Sequence, residues 1–294
     1  CGAYDIQVRY NRQRSDKDVI KMNIGFIGTG NMGGALAAAA ARAAAGNGRL
    51  GGRILLCDND SAKAGALAAR IGGEVVTLDE IFAAADIIFF GVKPQGLRAL
   101  ADESAALLAA RISGGRTPLA VTMAAGVELE KFSGYFPGIP AIRIMPNTPV
   151  SVGEGMIFWC AGDGVSDAAR GDFLAVMSCA GRLCELPEKQ IDAAGALSGC
   201  GPAFVYMFID ALADGGVAAG LARSVAREAA VQTVFGSAAL ARETGKHPGE
   251  LKDAVCSPGG TTIEGVRTLE ERAFRAAVTD AVIAAYEKTA KLSH

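Results

Sequence analysis

The feature that most constrains the fold is the string Gly28-Thr29-Gly30-Asn31-Met32-Gly33. It stands between the apolar run Ile24–Ile27 and an alanine-rich stretch over 35–45. This reads as strand, tight turn, helix. Gly28 permits the turn, Gly30 lets backbone come close to a pyrophosphate, and Gly33 lets the helix pack on the strand. A bare Gly-x-Gly-x-x-Gly is a weak signal, because glycines cluster in many loops. Here the flanking strand and helix supply the context that dinucleotide binding needs. The alternation continues to about residue 186. Strands are expected over 23–28, 53–57, 74–77, 86–92, 119–123, 141–145 and 155–160, and helices over 32–45, 61–71, 95–111 and 165–178. Runs such as Ile87-Ile88-Phe89-Phe90 are apolar on both faces, as buried parallel strands are. The pattern is that of an α/β, doubly wound sheet, whose ligands bind outside the carboxyl ends of the strands.

The loops leaving those ends carry the chemistry. Asp58 follows the second strand and is placed to bond the ribose hydroxyls of a dinucleotide. The glycine-rich insertion over 46–52 places it somewhat further along than usual. Val92-Lys93-Pro94 follows the fourth strand, Ala124-Ala125-Gly126 the fifth, and Met145-Pro146-Asn147-Thr148-Pro149 the sixth. The small residues let a flat ring lie against backbone. Lys93 supplies a cation and Asn147 a neutral donor and acceptor.

After about Pro187 the pattern turns helical, with spans expected over 202–219, 224–244, 248–255, 261–271 and 273–292. Pro202 suits a helix start and Gly245 a helix end. In Phe204-Val205-Tyr206-Met207-Phe208-Ile209 the apolar residues cover every helical face. So small a helical domain struggles to bury such helices alone, so they are expected to interleave with those of a second subunit. Within this half, Ser257-Pro258-Gly259-Gly260-Thr261-Thr262-Ile263-Glu264 runs from a glycine turn into a helix. Thr261 and Glu264 have the spacing of a capping box. Loop amides and the helix dipole then favour a small anion such as a carboxylate, with the Thr262 hydroxyl left free to face whatever carries it.

Composition narrows the classes. Of 294 residues, 50% are hydrophobic and 20% charged, which suits a globular chain with room for two domains. The net charge of -2 gives no reason to expect nucleic acid or an anionic membrane as partner. No apolar run of membrane-spanning length lacks a charge or glycine break. The seven cysteines are odd in number and include no Cys-x-x-Cys pair, which argues against a zinc site and a disulfide framework and for a cytoplasmic protein. Residues 1–21 are polar and aperiodic, with Met22 directly before the first strand. They are expected to be a disordered or non-native extension.

Only His247 and His294 are present, and the stretch after Ser198-Gly199-Cys200-Gly201-Pro202-Ala203 supplies no lysine. Alcohol oxidation therefore lacks an obvious base. Reducing a protonated imine needs none on the reacting atom, because hydride arrives at carbon and nitrogen already carries its proton. That is a positioning task for an anion-binding loop with one free hydroxyl.

Taken together, these motifs resemble pyrroline-5-carboxylate reductase from Met22 to near Leu292. The most specific piece is the run from Val255 to Glu264. The resemblance implies an N-terminal Rossmann-like domain over 22–187 and an all-helical substrate-binding and dimerisation domain over 188–294. It implies an intertwined homodimer, which in some members builds decamers. It further implies reduction of L-1-pyrroline-5-carboxylate to L-proline by NADPH or NADH. By position, Thr262 would bond the ring nitrogen, and the backbone around Gly260 and Thr261, with Ser257, would hold the carboxylate. Glu188 falls where the family has an acid close to substrate, and Val92, Lys93 and Ala125 where it contacts cofactor. Two residues depart from the family pattern. Cys200 stands where serine is common, and Asp58 stands where many members place small polar or basic residues that accept a 2′-phosphate. Asp58 favours NADH on physical grounds, and Lys63, one turn into the next helix, could compensate. Rival readings are a related cyclic-imine reductase, a 3-hydroxyacid dehydrogenase-like enzyme, and a non-catalytic dinucleotide sensor.

Overall fold

The computed structural model describes residues 21–292. Apart from Lys21, the expected leader lies outside the described residues.

Eight strands form one sheet in the order β3-β2-β1-β4-β5-β6-β7-β8. They are β1 (Ile24–Ile27), β2 (Ile54–Cys57), β3 (Glu74–Val75), β4 (Ile87–Phe90), β5 (Leu119–Thr122), β6 (Ala141–Met145), β7 (Gly155–Ala161) and β8 (Gly181–Glu185). Strands β1 to β6 run parallel. The order reverses beside β1, so the gap between the β1 and β4 ends is the topological switch point where a ligand is received. Helices α1 (Asn31–Gly46), α2 (Ser61–Ile71), α3 (Leu78–Ala84), α4 (Leu97–Ser113), α5 (Leu129–Tyr135), α6 (Asp167–Val176) and α7 (Glu188–Ser198) accompany the sheet.

Side chains alternate across the strands into two cores. Ile87 and Phe89 of β4 join one cluster with Phe26, Leu36 and Val121, while Ile88 and Phe90 join the other with Phe132 and Phe136. Phe26 and Phe89 are cross-strand partners, and their rings stack with centroids 4.6 Å apart. Each such fully buried ring contributes about 1.5–3 kcal/mol of transfer free energy.

The structure corrects the sequence reading at several elements. β7 runs antiparallel to β6, and β8, absent from the expected strands, pairs with β7 in parallel. The connection between β6 and β7 is one short 3-10 turn, Thr148–Val152, too short for a parallel crossover. β3 stops at Val75, because Thr77 already caps α3. The Thr77 side chain accepts from the Glu80 amide and the Glu80 side chain accepts from Thr77, a complete capping box. The helix α7 was not expected. It carries Gly195, where a Cβ would come 3.0 Å from Met145 Cγ, so the glycine allows the helix to press on β6.

The chain divides into two compact units. Among the described residues, one comprises those up to Gly199 with those from Tyr286 to Leu292, and the other is Cys200–Ala285. The second holds α8 (Gly201–Ala218), α9 (Arg223–Thr244), α10 (Pro248–Ala254), α11 (Thr261–Glu271) and most of α12 (Phe274–Leu292). Its own core is small: Ala213, Ala226 and Ala230, with Ile209 and Val217 packed against them. Tyr206, Met207 and Phe235 stay exposed at 60%, 74% and 57%. Within the stretch Glu188–Ala218 an 18-residue window has mean hydropathy 1.4, which is long and apolar enough by length and composition to cross a membrane. The stretch contains Asp192, Asp210 and several glycines as breaks.

Candidate active site

The glycine string of β1 and α1 forms a cradle without room for side chains at two points. Gly28 has φ +91°, and a Cβ there would lie 2.8 Å from the Gly91 carbonyl. A Cβ on Gly33 would lie 2.1 Å from the Gly28 oxygen, so α1 is pressed onto the turn. At Gly30 the situation inverts, for a Cβ would meet only the Lys63 ammonium, at 3.9 Å. Gly30 is the N-cap of α1, and no side chain caps it. The amides of Asn31, Met32 and Gly33 begin the helix there, at the positive end of its dipole. A smooth backbone floor, helix amides and one ammonium are the groups that a pyrophosphate requires, so these residues fit a dinucleotide.

Asp58 has a role in this cradle that the sequence did not announce. Its Oδ2 accepts from the Thr29 amide at 2.5 Å and the Thr29 hydroxyl at 2.9 Å, and its Oδ1 accepts from the Asp60 amide at 2.9 Å. Thr29 is buried. Burial alone would push the Asp58 carboxyl up. The Asp60 and Thr29 amides, the Thr29 hydroxyl and the Lys63 charge outweigh it and hold Asp58 below the ordinary carboxylate range.

The other expected cofactor residues gather at the same sheet edge. Val92, Lys93 and Pro94 leave β4, with Lys93 exposed at the entry to the 3-10 turn Pro94–Gly96. Ala125 is exposed beside Gly126, which has φ +70°. Asn147 follows β6, and its side chain is largely engaged internally. Nδ2 donates to the Ser198 carbonyl at 3.1 Å and Oδ1 accepts from the Met156 amide at 2.8 Å.

Glu188 is tied to a residue that the sequence reading passed over. Arg143 on β6 is 1% exposed. Its Nη1 donates to Glu188 Oε1 at 3.3 Å and its Nη2 to Asp192 Oδ1 at 2.5 Å, while Nε is buried without a partner. The same Glu188 oxygen accepts from the Leu129 amide at 2.7 Å, so Glu188 caps α5 from another helix. Thus β6 and the loop that follows it grip α7 at both ends, through Arg143 at its start and Asn147 at its last residue. An arginine in the middle of Ala-Ile-Arg-Ile-Met was the available signal. Beside it on β7, burial first and the Glu188 charge second push the Cys160 thiol up to about 11.

The loop before α11 differs in register from its expected form. Gly260, with extended backbone, is the N-cap, and no side chain caps the helix. Thr261 is already the first helical residue, and Glu264 instead accepts from Arg267 at 2.9 Å. The capping box is therefore not formed. Gly259 has φ +67°, the Gly260 amide donates to the Ser257 carbonyl at 3.0 Å, and a Cβ on Gly260 would lie 2.2 Å from Ser257 Oγ. Thr261 and Thr262 are both exposed on the first turn.

The geometry defines a class: a Rossmann-like, dinucleotide-dependent oxidoreductase joined to a helical domain. Residues 188–292 match the family model described as pyrroline-5-carboxylate reductase dimerisation, and residues 23–112 that described as NADP oxidoreductase, coenzyme F420-dependent. The chain is 40% identical to pyrroline-5-carboxylate reductase of Escherichia coli over 278 residues, covering 93% of this chain and 99% of that one. It is 44% identical to the Synechocystis enzyme over 207 residues, covering 70% and 75%. The chain belongs to the pyrroline-5-carboxylate reductase family. Among solved structures it is similar to pyrroline-5-carboxylate reductase of Coxiella burnetii, with TM-score 0.81 and 28% identity over 94% of this chain and 100% of that one. It is also similar to the Plasmodium falciparum enzyme with NADP bound, with TM-score 0.78 and 29% identity over 93% and 98%. The dimerisation match covers α8 and α9, the helices that carry the exposed Tyr206, Met207 and Phe235.

Proposed function

We propose that this chain reduces L-1-pyrroline-5-carboxylate to L-proline, the last step of proline synthesis. The reduced nicotinamide of NADPH or NADH supplies the hydride. The observation that carries the reading is the glycine cradle, open over Gly30 alone, in a chain that also carries the Ser257–Glu264 loop and the dimerisation match. The cofactor-binding residues are Gly28, Thr29, Gly30, Asn31, Met32 and Gly33, with Asp58, Val92, Lys93, Pro94, Ala125 and Asn147. In substrate binding, the amides at Gly260 and Thr261 and the Ser257 hydroxyl hold the carboxylate. Thr262 Oγ1 accepts from the protonated ring nitrogen, fixing which face of the C=N bond is presented. Those contacts orient the substrate and exclude water, and no base acts on the reacting carbon. Glu188 is the acid close to the substrate, fixed by Arg143 and the Leu129 amide.

The functional division is 22–187 for dinucleotide and 188–294 for substrate and dimerisation. The dimer is intertwined through α8 and α9. The enzyme works in the cytoplasm, without a membrane or nucleic-acid partner. The test is oxidation of NADPH and NADH by purified protein as pyrroline-5-carboxylate is added. Saturable oxidation with stoichiometric L-proline is expected. Dinucleotide binding without oxidation would reject the assignment.

A further inference from the structure

Two acids, Asp58 and Asp60, and one cation, Lys63, follow the end of β2. Asp58 is anchored by three hydrogen bonds to Thr29 and Asp60, so it cannot swing aside as a loose side chain would. Asp60, on the same loop, has its own place as N-cap of α2, where Oδ1 accepts from the Lys63 amide at 3.0 Å. Both acids therefore stand fixed where a dinucleotide's adenosine ribose reaches the sheet edge. The cation of this loop, Lys63, carries its ammonium 3.9 Å from the point where a Cβ on Gly30 would sit, which is the pyrophosphate side of the cradle.

Resting on the cofactor site proposed above, we infer that this chain prefers NADH, with Asp58 excluding a 2′-phosphate and Lys63 serving the pyrophosphate that both dinucleotides share. Asp58 retains lone-pair capacity for a ribose hydroxyl that donates to it. A 2′-phosphate has nothing to donate when fully ionised, and it adds like charge beside Asp58 and Asp60. To admit it, the loop would have to give up the bonds that hold Thr29. Lys63, drawn over Gly30, contributes equally to either cofactor.

The test is calorimetric titration of the full-length protein with NADH and with NADPH, without substrate, so that binding is read independently of turnover. NADPH is expected to bind at least about tenfold more weakly than NADH. Asp58→Asn, which keeps an acceptor for Thr29, should narrow that gap about tenfold, with the melting temperature confirming a folded protein. Lys63→Met should weaken both cofactors by the same factor, within about threefold. NADPH binding as tightly as NADH to the unmodified protein would overturn the inference. So would a Lys63→Met variant that loses NADPH alone, since Lys63 would then be reading the 2′-phosphate. Binding of neither dinucleotide would reject the cofactor site itself.

Discussion

Replacing Arg143 with methionine removes the centre of a buried charge cluster while keeping much of its volume. Arg143 is 1% exposed, and its partners Glu188 and Asp192 retain side-chain exposures of 30% and 23%. Removing one member of a buried ion pair costs about 3–5 kcal/mol when the remaining charge stays dry. Here two acids are left, but both reach solvent in part, which lowers the cost. The substitution also relieves the unpartnered Nε, worth about 1–3 kcal/mol. The net expectation is a loss of about 2 kcal/mol. Trp159 is the sole tryptophan, sits on β7 opposite Ile144, and is 4% exposed, so its fluorescence reports unfolding of this unit directly. With a urea slope of about 2 kcal/mol/M, the midpoint should fall by about 1 M. A double-mutant cycle with Asp192→Asn should show a coupling of about 1–3 kcal/mol. A midpoint unchanged in Arg143→Met, or single losses that add without coupling, would refute the argument that the cluster holds α7 on the sheet.

Other outcomes follow from the same geometry. Gly33→Ala places a methyl 2.1 Å from the Gly28 oxygen and should cost about 2–3 kcal/mol in thermal or urea unfolding. A Cβ at Gly30 meets only the mobile end of Lys63, so Gly30→Val should fold like the parent yet bind dinucleotide at least about tenfold more weakly by calorimetry. Thr262→Ala removes an acceptor for a charged nitrogen and should lower kcat/KM about 10- to 100-fold with dinucleotide Kd unchanged. An equal rate would remove Thr262 from the mechanism. Asp58 is held below its ordinary 3.8, so its anchoring of Thr29 is fully present above that value and lost as pH falls through the lower folded-state value. The melting-temperature advantage of the parent over Asp58→Asn should thus be constant above about pH 5 and shrink below about pH 4. A constant difference down to pH 2 would exclude this linkage.

What the sequence determined by itself was local. The apolar run, the glycine string and the alanine-rich helix specify one strand–turn–helix whose contacts lie within a few residues. Repeated strand–helix alternation then leaves the parallel sheet and its carboxyl edge as the stable arrangement for the first six strands. The Ser257–Glu264 loop was legible as a glycine turn entering a helix, although the cap fell on Gly260 and the complete box formed at Thr77 and Glu80 instead. Capping geometry depends on a single residue of helix register, which spacing does not resolve. Other features rest on partners far apart in the chain. Asp58 bonds Thr29, Arg143 bonds Glu188 and Asp192, and β7 turns back along β6 before β8 is added. Periodicity reports which face of an element is apolar and says nothing about which polar groups will meet once the faces are buried. The tertiary structure decided those pairings, because a buried charge must find a partner wherever the fold places one.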